Sequence, residues 1–155
     1  MYAIHTIKMK NDKLNGLWKG VYKYGSSYPE EYKDRLEPFS LDIRFDGDNF
    51  KGVCKDTFTE THFDQPATVE GTFVPNLISF IKRYPGLLMV NENEETIVIP
   101  ERPSVDIHYT GMFYKGLFSR TIRFEGEWTM TSYYLNDLDK KVFYTCHGTW
   151  TMKKG

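Results

Sequence analysis

Five tyrosines, one aspartate and one lysine fall in rows of the sequence that are otherwise apolar: Tyr22, Tyr24, Tyr84, Tyr109, Tyr144, Asp56 and Lys82. A carboxylate, an ammonium and phenols held in apolar surroundings are the ingredients of acid–base chemistry, because burial moves their pKa values. They are equally the few placed polar groups that orient a mostly apolar ligand. With Trp18, Trp128 and Trp150 they form the candidate ligand-binding set. A competing placement puts Asp56 and Lys82 at strand ends in water, with the tyrosine hydroxyls reaching out to solvent. Their positions near the ends of their segments favour this second placement.

Other chemistry finds little purchase. The four histidines, His5, His62, His108 and His147, have no spacing that would bring three or four metal ligands together. His62 is read as a loop residue. His108 and His147 are placed on outward faces, where they could meet across strands. Cys54 and Cys146 lie far apart, in neither a CxxC nor a CxxH pattern, and read as two free, buried thiols in a reducing compartment. No Gly-x-Ser-x-Gly occurs, and the glycines fall singly rather than in a phosphate-cradling loop. Glu30 with Glu31, and Glu125 with Glu127, read as solvated carboxylates. No cofactor and no metal is expected.

Whatever these side chains do, the chain must position them with strands. Of the 155 residues 40% are hydrophobic and 16% aromatic, a composition suited to pleated, half-buried surfaces. The 20 basic and 21 acidic residues give a net charge of −1, which is not the basic excess of a nucleic-acid binder. No stretch approaches the roughly 20 apolar residues that span a bilayer as a helix. The first residues lack the apolar run of a signal peptide, so the expected setting is cytoplasmic.

Period-two alternation recurs throughout. Strands are expected over 16–24, 39–45, 50–55, 67–73, 77–84, 105–113, 120–130 and 142–152. Asp46-Gly47-Asp48 and Pro75-Asn76 supply tight turns. In the fifth strand Ile78, Phe80 and Tyr84 compete with Leu77 and Ile81 for the inner face. Residues 25–38 form a long connection in which Pro29 and Pro38 oppose regular structure. In residues 85–104, Leu87–Val90 and Thr96–Ile99 could add a hairpin, raising the count from eight to nine or ten. Residues 1–13 read as a frayed terminus.

Six strands each carry one glycine flanked two residues away by apolar or aromatic groups: Gly20, Gly52, Gly71, Gly111, Gly126 and Gly148. A glycine within a strand marks a bend or a close approach. Repeated once per strand, it fits a curved sheet that closes on itself. The expected fold is therefore all-β, a single-domain, antiparallel up-and-down barrel with each strand beside the next. Eight strands enclose room for packed side chains or one small ligand.

Gly16-Leu17-Trp18 resembles the Gly-x-Trp that opens the first strand of lipocalins. The rhythm also resembles the avidin–streptavidin barrels: an early Gly-x-Trp strand, then an Asp-Gly hairpin into an aromatic-x-Gly strand. Ile107-His108-Tyr109-Thr110-Gly111 and Gly126-Glu127-Trp128-Thr129-Met130 are similar to that family's last strands. The resemblance covers most of the chain and implies a calycin-type barrel with a small-ligand site at its open end. It does not extend to the polar residues that avidins set around biotin. Trp18-x-Gly20 followed by Tyr28-Pro29 resembles nitrobindin-like haem barrels, which use a histidine on iron. By alternation His147 points to the face opposite Cys146, Gly148 and Trp150, against a haem.

Three functions follow in order: binding of a small, largely apolar ligand inside the barrel without catalysis; a packed structural or interaction module; and an enzyme acting on a lipid-like or aromatic substrate. Leu17, Val21 and Val53 point outward and could mark a homo-oligomer contact.

Overall fold

The computed structural model describes residues 11–90, 95–117 and 120–155. Strand β1 spans Gly16–Tyr24, β2 Leu36–Asp46 and β3 Asn49–Asp56. A short helix, α1, Thr57–His62, precedes β4 at Ala67–Val74 and β5 at Leu77–Arg83. The hairpin strands β6, Leu87–Val90, and β7, Thr96–Ile99, are followed by β8, Ile107–Lys115, β9, Ile122–Leu135, and β10, Lys141–Lys154.

Eight of these strands close into an antiparallel barrel in the order β1-β10-β9-β8-β5-β4-β3-β2. Each barrel strand is hydrogen-bonded to the next barrel strand along the chain, β5 pairing with β8 across the intervening hairpin, and β1 seals against β10 through pairs such as Tyr22 with Trp150. The hairpin β6–β7 stands outside the barrel as its own two-stranded sheet. The extra hairpin of the sequence reading is thus present, and its tip, 91–94, lies outside the described residues.

Register and burial settle the fifth strand. Ile78, Phe80 and Lys82 face inward, while Leu77 is half exposed. Pro38 does not break the chain but sits within β2 opposite Val21. Strand β3 ends opposite Phe39, so β2 has a partner on one side only at Pro38. A missing N–H is tolerated at such a place.

The inner glycines are points of close approach. A Cβ on Gly126 would stand 1.8 Å from the Thr110 carbonyl oxygen of β8. Trp150 lies across neighbouring Gly111, its ring 2.7 Å from where a Cβ would be, and donates its indole N–H to the Thr110 and Glu127 carbonyls. An inner row of glycines beside tryptophans lets large rings lie flat against a tightly curved wall.

The two ends of the barrel differ. At the end where β1 begins and β2 finishes, Trp18, Phe73, Phe113 and Phe124 form one aromatic packing, with centroids 5.1–5.8 Å apart. Leu14 closes it, buried in the core, and its carbonyl accepts from the Trp18 indole at 3.0 Å. Asn11 is buried too and donates to the Gly47 carbonyl at 2.8 Å. Asn11 and Leu14 are therefore packed against the barrel floor, while Asp12 and Lys13 between them are exposed; residues 1–10, including His5, lie outside the described residues. The opposite end is hollow.

Candidate functional site

Tyr22 and Tyr24 end β1, and Ile107 and Tyr109 open β8, so all four point inward at the same end of the barrel. Antiparallel pairing brings Trp128 and Met130 late in β9 and Tyr144 and Cys146 early in β10 to that same end. They surround a cavity of about 640 Å³. Its mouth is built by connections: Ser27, Tyr28, Pro29 and Tyr32 after β1, Phe58 on α1, and Leu88, Met89 and Thr96 on the hairpin. Tyr84, Ser104, Val105 and Tyr134 complete the wall.

Beneath Tyr84 lies a charged pair sealed from water. Lys82 Nζ stands 2.5 Å from Asp56 Oδ2, with side-chain exposures of 2% and 0%. The Tyr84 hydroxyl donates to the same oxygen at 2.6 Å. Asp56 Oδ1 accepts from the Thr59 N–H at 3.0 Å, capping α1, while Thr59 Oγ1 accepts from the Asp56 N–H. The pair therefore ties β3, β5 and α1 together. The Lys82 ammonium also sits 5.2 Å from the Tyr22 ring centre and 4.7 Å from that of Tyr84, close enough for cation–π attraction.

Burial alone would raise the Asp56 pKa, but the Lys82 charge and the hydrogen bonds from Lys82, Tyr84 and Thr59 outweigh it and hold the carboxyl below its ordinary range. Burial likewise opposes the Lys82 ammonium, and its acidic neighbours Cys54, Tyr109 and Asp56 overcome that, raising its pKa. At neutral pH, where thiol and phenol carry no charge, Asp56 is the partner that counts. Both groups are ionised.

Burial pushes the tyrosine phenols up. Tyr24 rises to about 12, helped by Glu37, and Tyr109 to about 12 despite the opposing Lys82 charge. Tyr22, Tyr28 and Tyr84 are raised for the same first reason. Burial also raises the Cys146 thiol on the cavity wall. Such a thiol is a poor nucleophile.

Of the ten residues singled out from the sequence, Tyr22, Tyr24, Tyr84, Tyr109, Trp128 and Tyr144 line the cavity. The other four do not. Trp18 belongs to the packed end, and Trp150 is enclosed by Phe80 and Tyr109, with its N–H engaged on main-chain carbonyls. Asp56 and Lys82 are buried rather than solvent-exposed, which corrects the favoured placement at open strand ends; α1 and Tyr84 cover them.

Met130 and Cys146 could have been found in the sequence, since each continues an inner row. Tyr28, Tyr32, Phe58, Leu88 and Met89 sit on connections or the outer hairpin, where no alternation announces their direction. His62 ends α1 rather than lying in a loop. His108 and His147 do not meet, because Thr129 pairs with both and lies between them. Among the described residues no group of three or more metal-ligating side chains comes together, and no helix is long and apolar enough to cross a membrane.

No protein-family model matches the chain, and no curated protein does. Among solved structures it is similar to rhizavidin, with a TM-score of 0.47 and 12% identity over 88% of this chain and 83% of that one. It is also similar to the rhizavidin–biotin complex, with a TM-score of 0.45 and 12% identity over 88% and 93%. The likeness is distant.

Proposed function

We propose that the protein binds one small, largely apolar ligand in the open half of its barrel, without catalysing a reaction on it. The observation that carries this reading is the contrast between the two ends: one filled to contact by aromatic rings, the other holding about 640 Å³ walled mainly by tyrosine, tryptophan and aliphatic side chains. Interiors are normally packed with few voids larger than water, and ligand pockets of this size and lining are the usual exception. Solved barrels similar to this one include a biotin complex, in keeping with a ligand held in a barrel. The two free thiols, Cys54 and Cys146, are in keeping with a cytoplasmic setting. Native mass spectrometry of the freshly purified protein tests the reading. A stoichiometric extra mass that leaves on organic extraction is expected. Failure to take up any of a panel of apolar compounds after extraction would overturn it.

A second reading, self-association, is favoured by one feature. Strands β9 and β10 run past the barrel as a hairpin, with Thr131–Leu135 paired to Lys141–Thr145. Leu138 and Phe143 there are 74% and 65% exposed, and exposed apolar clusters often mark contacts. Light scattering distinguishes a monomer from a dimer, and Phe143→Ser should return any dimer to monomer.

A further inference from the structure

Two aromatic side chains of the cavity wall owe their direction to one carboxylate. Tyr84 stands just past β5, beyond the last cross-strand pair of that strand, Arg83 with Thr68. No strand ladder therefore aims its side chain. Phe58 sits on α1, whose six residues are too few for a helix to persist unaided. Both side chains line the cavity, and Asp56 holds each of them. Its Oδ2 accepts from the Tyr84 hydroxyl at 2.6 Å. Its Oδ1 accepts from the Thr59 N–H at 3.0 Å and so caps the helix that carries Phe58. The two rings meet edge to face, with centroids 6.1 Å apart.

The carboxylate is well placed to hold them. Hydrogen bonds to an ionised acceptor are roughly twice as strong as neutral ones, and the Asp56 side chain, 0% exposed, is out of reach of competing water. Lys82 Nζ, 2.5 Å from Oδ2, supplies the charge that keeps that acceptor ionised. The Tyr84 ring is steadied further by Phe63, nearly parallel to it at 6.1 Å, and by the Lys82 ammonium, 4.7 Å from its centre. Its main-chain N–H donates to Ser104 Oγ at 3.0 Å. Asp56 and Lys82 themselves do not line the cavity. They support the wall from behind.

We infer that Asp56 is a positioning residue of the ligand site: without meeting the ligand, it sets ligand affinity by fixing Tyr84 and Phe58 in the cavity wall. The inference rests on the cavity being a ligand site. A wall already held in its bound arrangement has less freedom to lose when a ligand arrives. Titration with Nile red, followed by fluorescence on proteins whose melting curves show them folded, tests it. Tyr84→Phe keeps the ring and removes only its bond to Asp56. It should bind the dye roughly three- to tenfold more weakly, the cost of ordering a freed side chain. The emission of the bound dye should also move to longer wavelength, because water reaches a loosened wall. In a Lys82→Met, Asp56→Ser background, serine still caps α1 but is too short to reach Tyr84. That protein should bind as weakly as Tyr84→Phe, and adding Tyr84→Phe to it should cost nothing more. Should the background variant not fold, the single substitution decides alone. Tyr84→Phe binding and emission equal to those of wild type overturn the inference and leave the cavity reading standing, as does a full further loss in the background variant. No binding to wild type overturns the cavity reading itself.

Discussion

The Lys82 ammonium meets the Asp56 carboxylate at 2.5 Å, in a spot where neither side chain is more than 2% exposed. Placing two charges inside a small barrel is expensive, and their attraction repays it only with good geometry and further hydrogen bonds. The Tyr84 hydroxyl and the Thr59 N–H supply those bonds. Removing one partner leaves an uncompensated buried charge. Lys82→Met should therefore lose about 3–5 kcal/mol. The double variant Lys82→Met with Asp56→Asn, which keeps an acceptor for the cap of α1, should recover much of that loss. Urea unfolding of the four proteins in the cycle measures the coupling. Additive losses would contradict the pairing.

The same groups set the pH range of stability. The Asp56 pKa is lower in the folded than in the unfolded chain, so its contribution is present above the ordinary carboxylate value of about 4 and is lost as pH falls through its folded value. At the alkaline side, Tyr24 and Tyr109 titrate at about 12 when folded and near 10 when unfolded. Their contribution is complete below about 10 and disappears as pH rises toward 12. Thermal melts should show a plateau with acid and alkaline flanks in those windows. A melting temperature that holds steady from pH 9 to 12 would contradict the burial of the tyrosines.

The closed end should carry most of the packing stability. Phe124, fully buried among Trp18, Phe73 and Phe113, leaves a void when cut back. Phe124→Ala should cost about 3–5 kcal/mol. Tyr32→Ala, at the mouth of the cavity, should cost well under half of that. Similar losses from both would mean that the two ends are equally packed.

Glycine substitutions separate close approach from backbone conformation. Gly47 has φ of +64° with open space around it, so Gly47→Ala should cost about 1 kcal/mol for a left-handed turn. Gly126→Ala drives a methyl to 1.8 Å from a carbonyl of β8 and should cost several times more by forcing the strands apart. Chemical denaturation of both variants gives the ratio, and equal losses would contradict the tight β8–β9 approach.

The barrel was legible because its strands alternate cleanly, as in Phe39, Leu41, Ile43 and Phe45, and because the inner glycines recur. Alternation also put Asp56 in an inner row, and Lys82 in one on the condition that the Phe80 row faced inward. What it could not supply was the cover above them. That comes from α1, six residues long and held by the Asp56–Thr59 cap, and from Tyr84, just past the end of β5. The spacing of Asp56 and Thr59 is a capping signal and could have pointed to burial. Which end is hollow depends on Leu14 and on connections such as Tyr28 and Tyr32, whose directions follow from no period. Trp18 and Trp150 share inner rows with cavity residues yet face packed layers, because depth along a strand, not its face, decides between core and site.

The most direct test of the ligand site is a fluorescence titration with Nile red, an uncharged, flat dye, on wild type and on Met130→Trp. Met130 lines the cavity between Trp128 and Ser132 on β9, so the larger side chain occupies the space while the barrel strands stay paired. Saturable binding of one dye per wild-type chain is expected, weakened at least tenfold in Met130→Trp with its melting temperature little changed. No saturable binding to wild type, or equal binding to a folded Met130→Trp protein, would contradict a ligand site in the open half of the barrel.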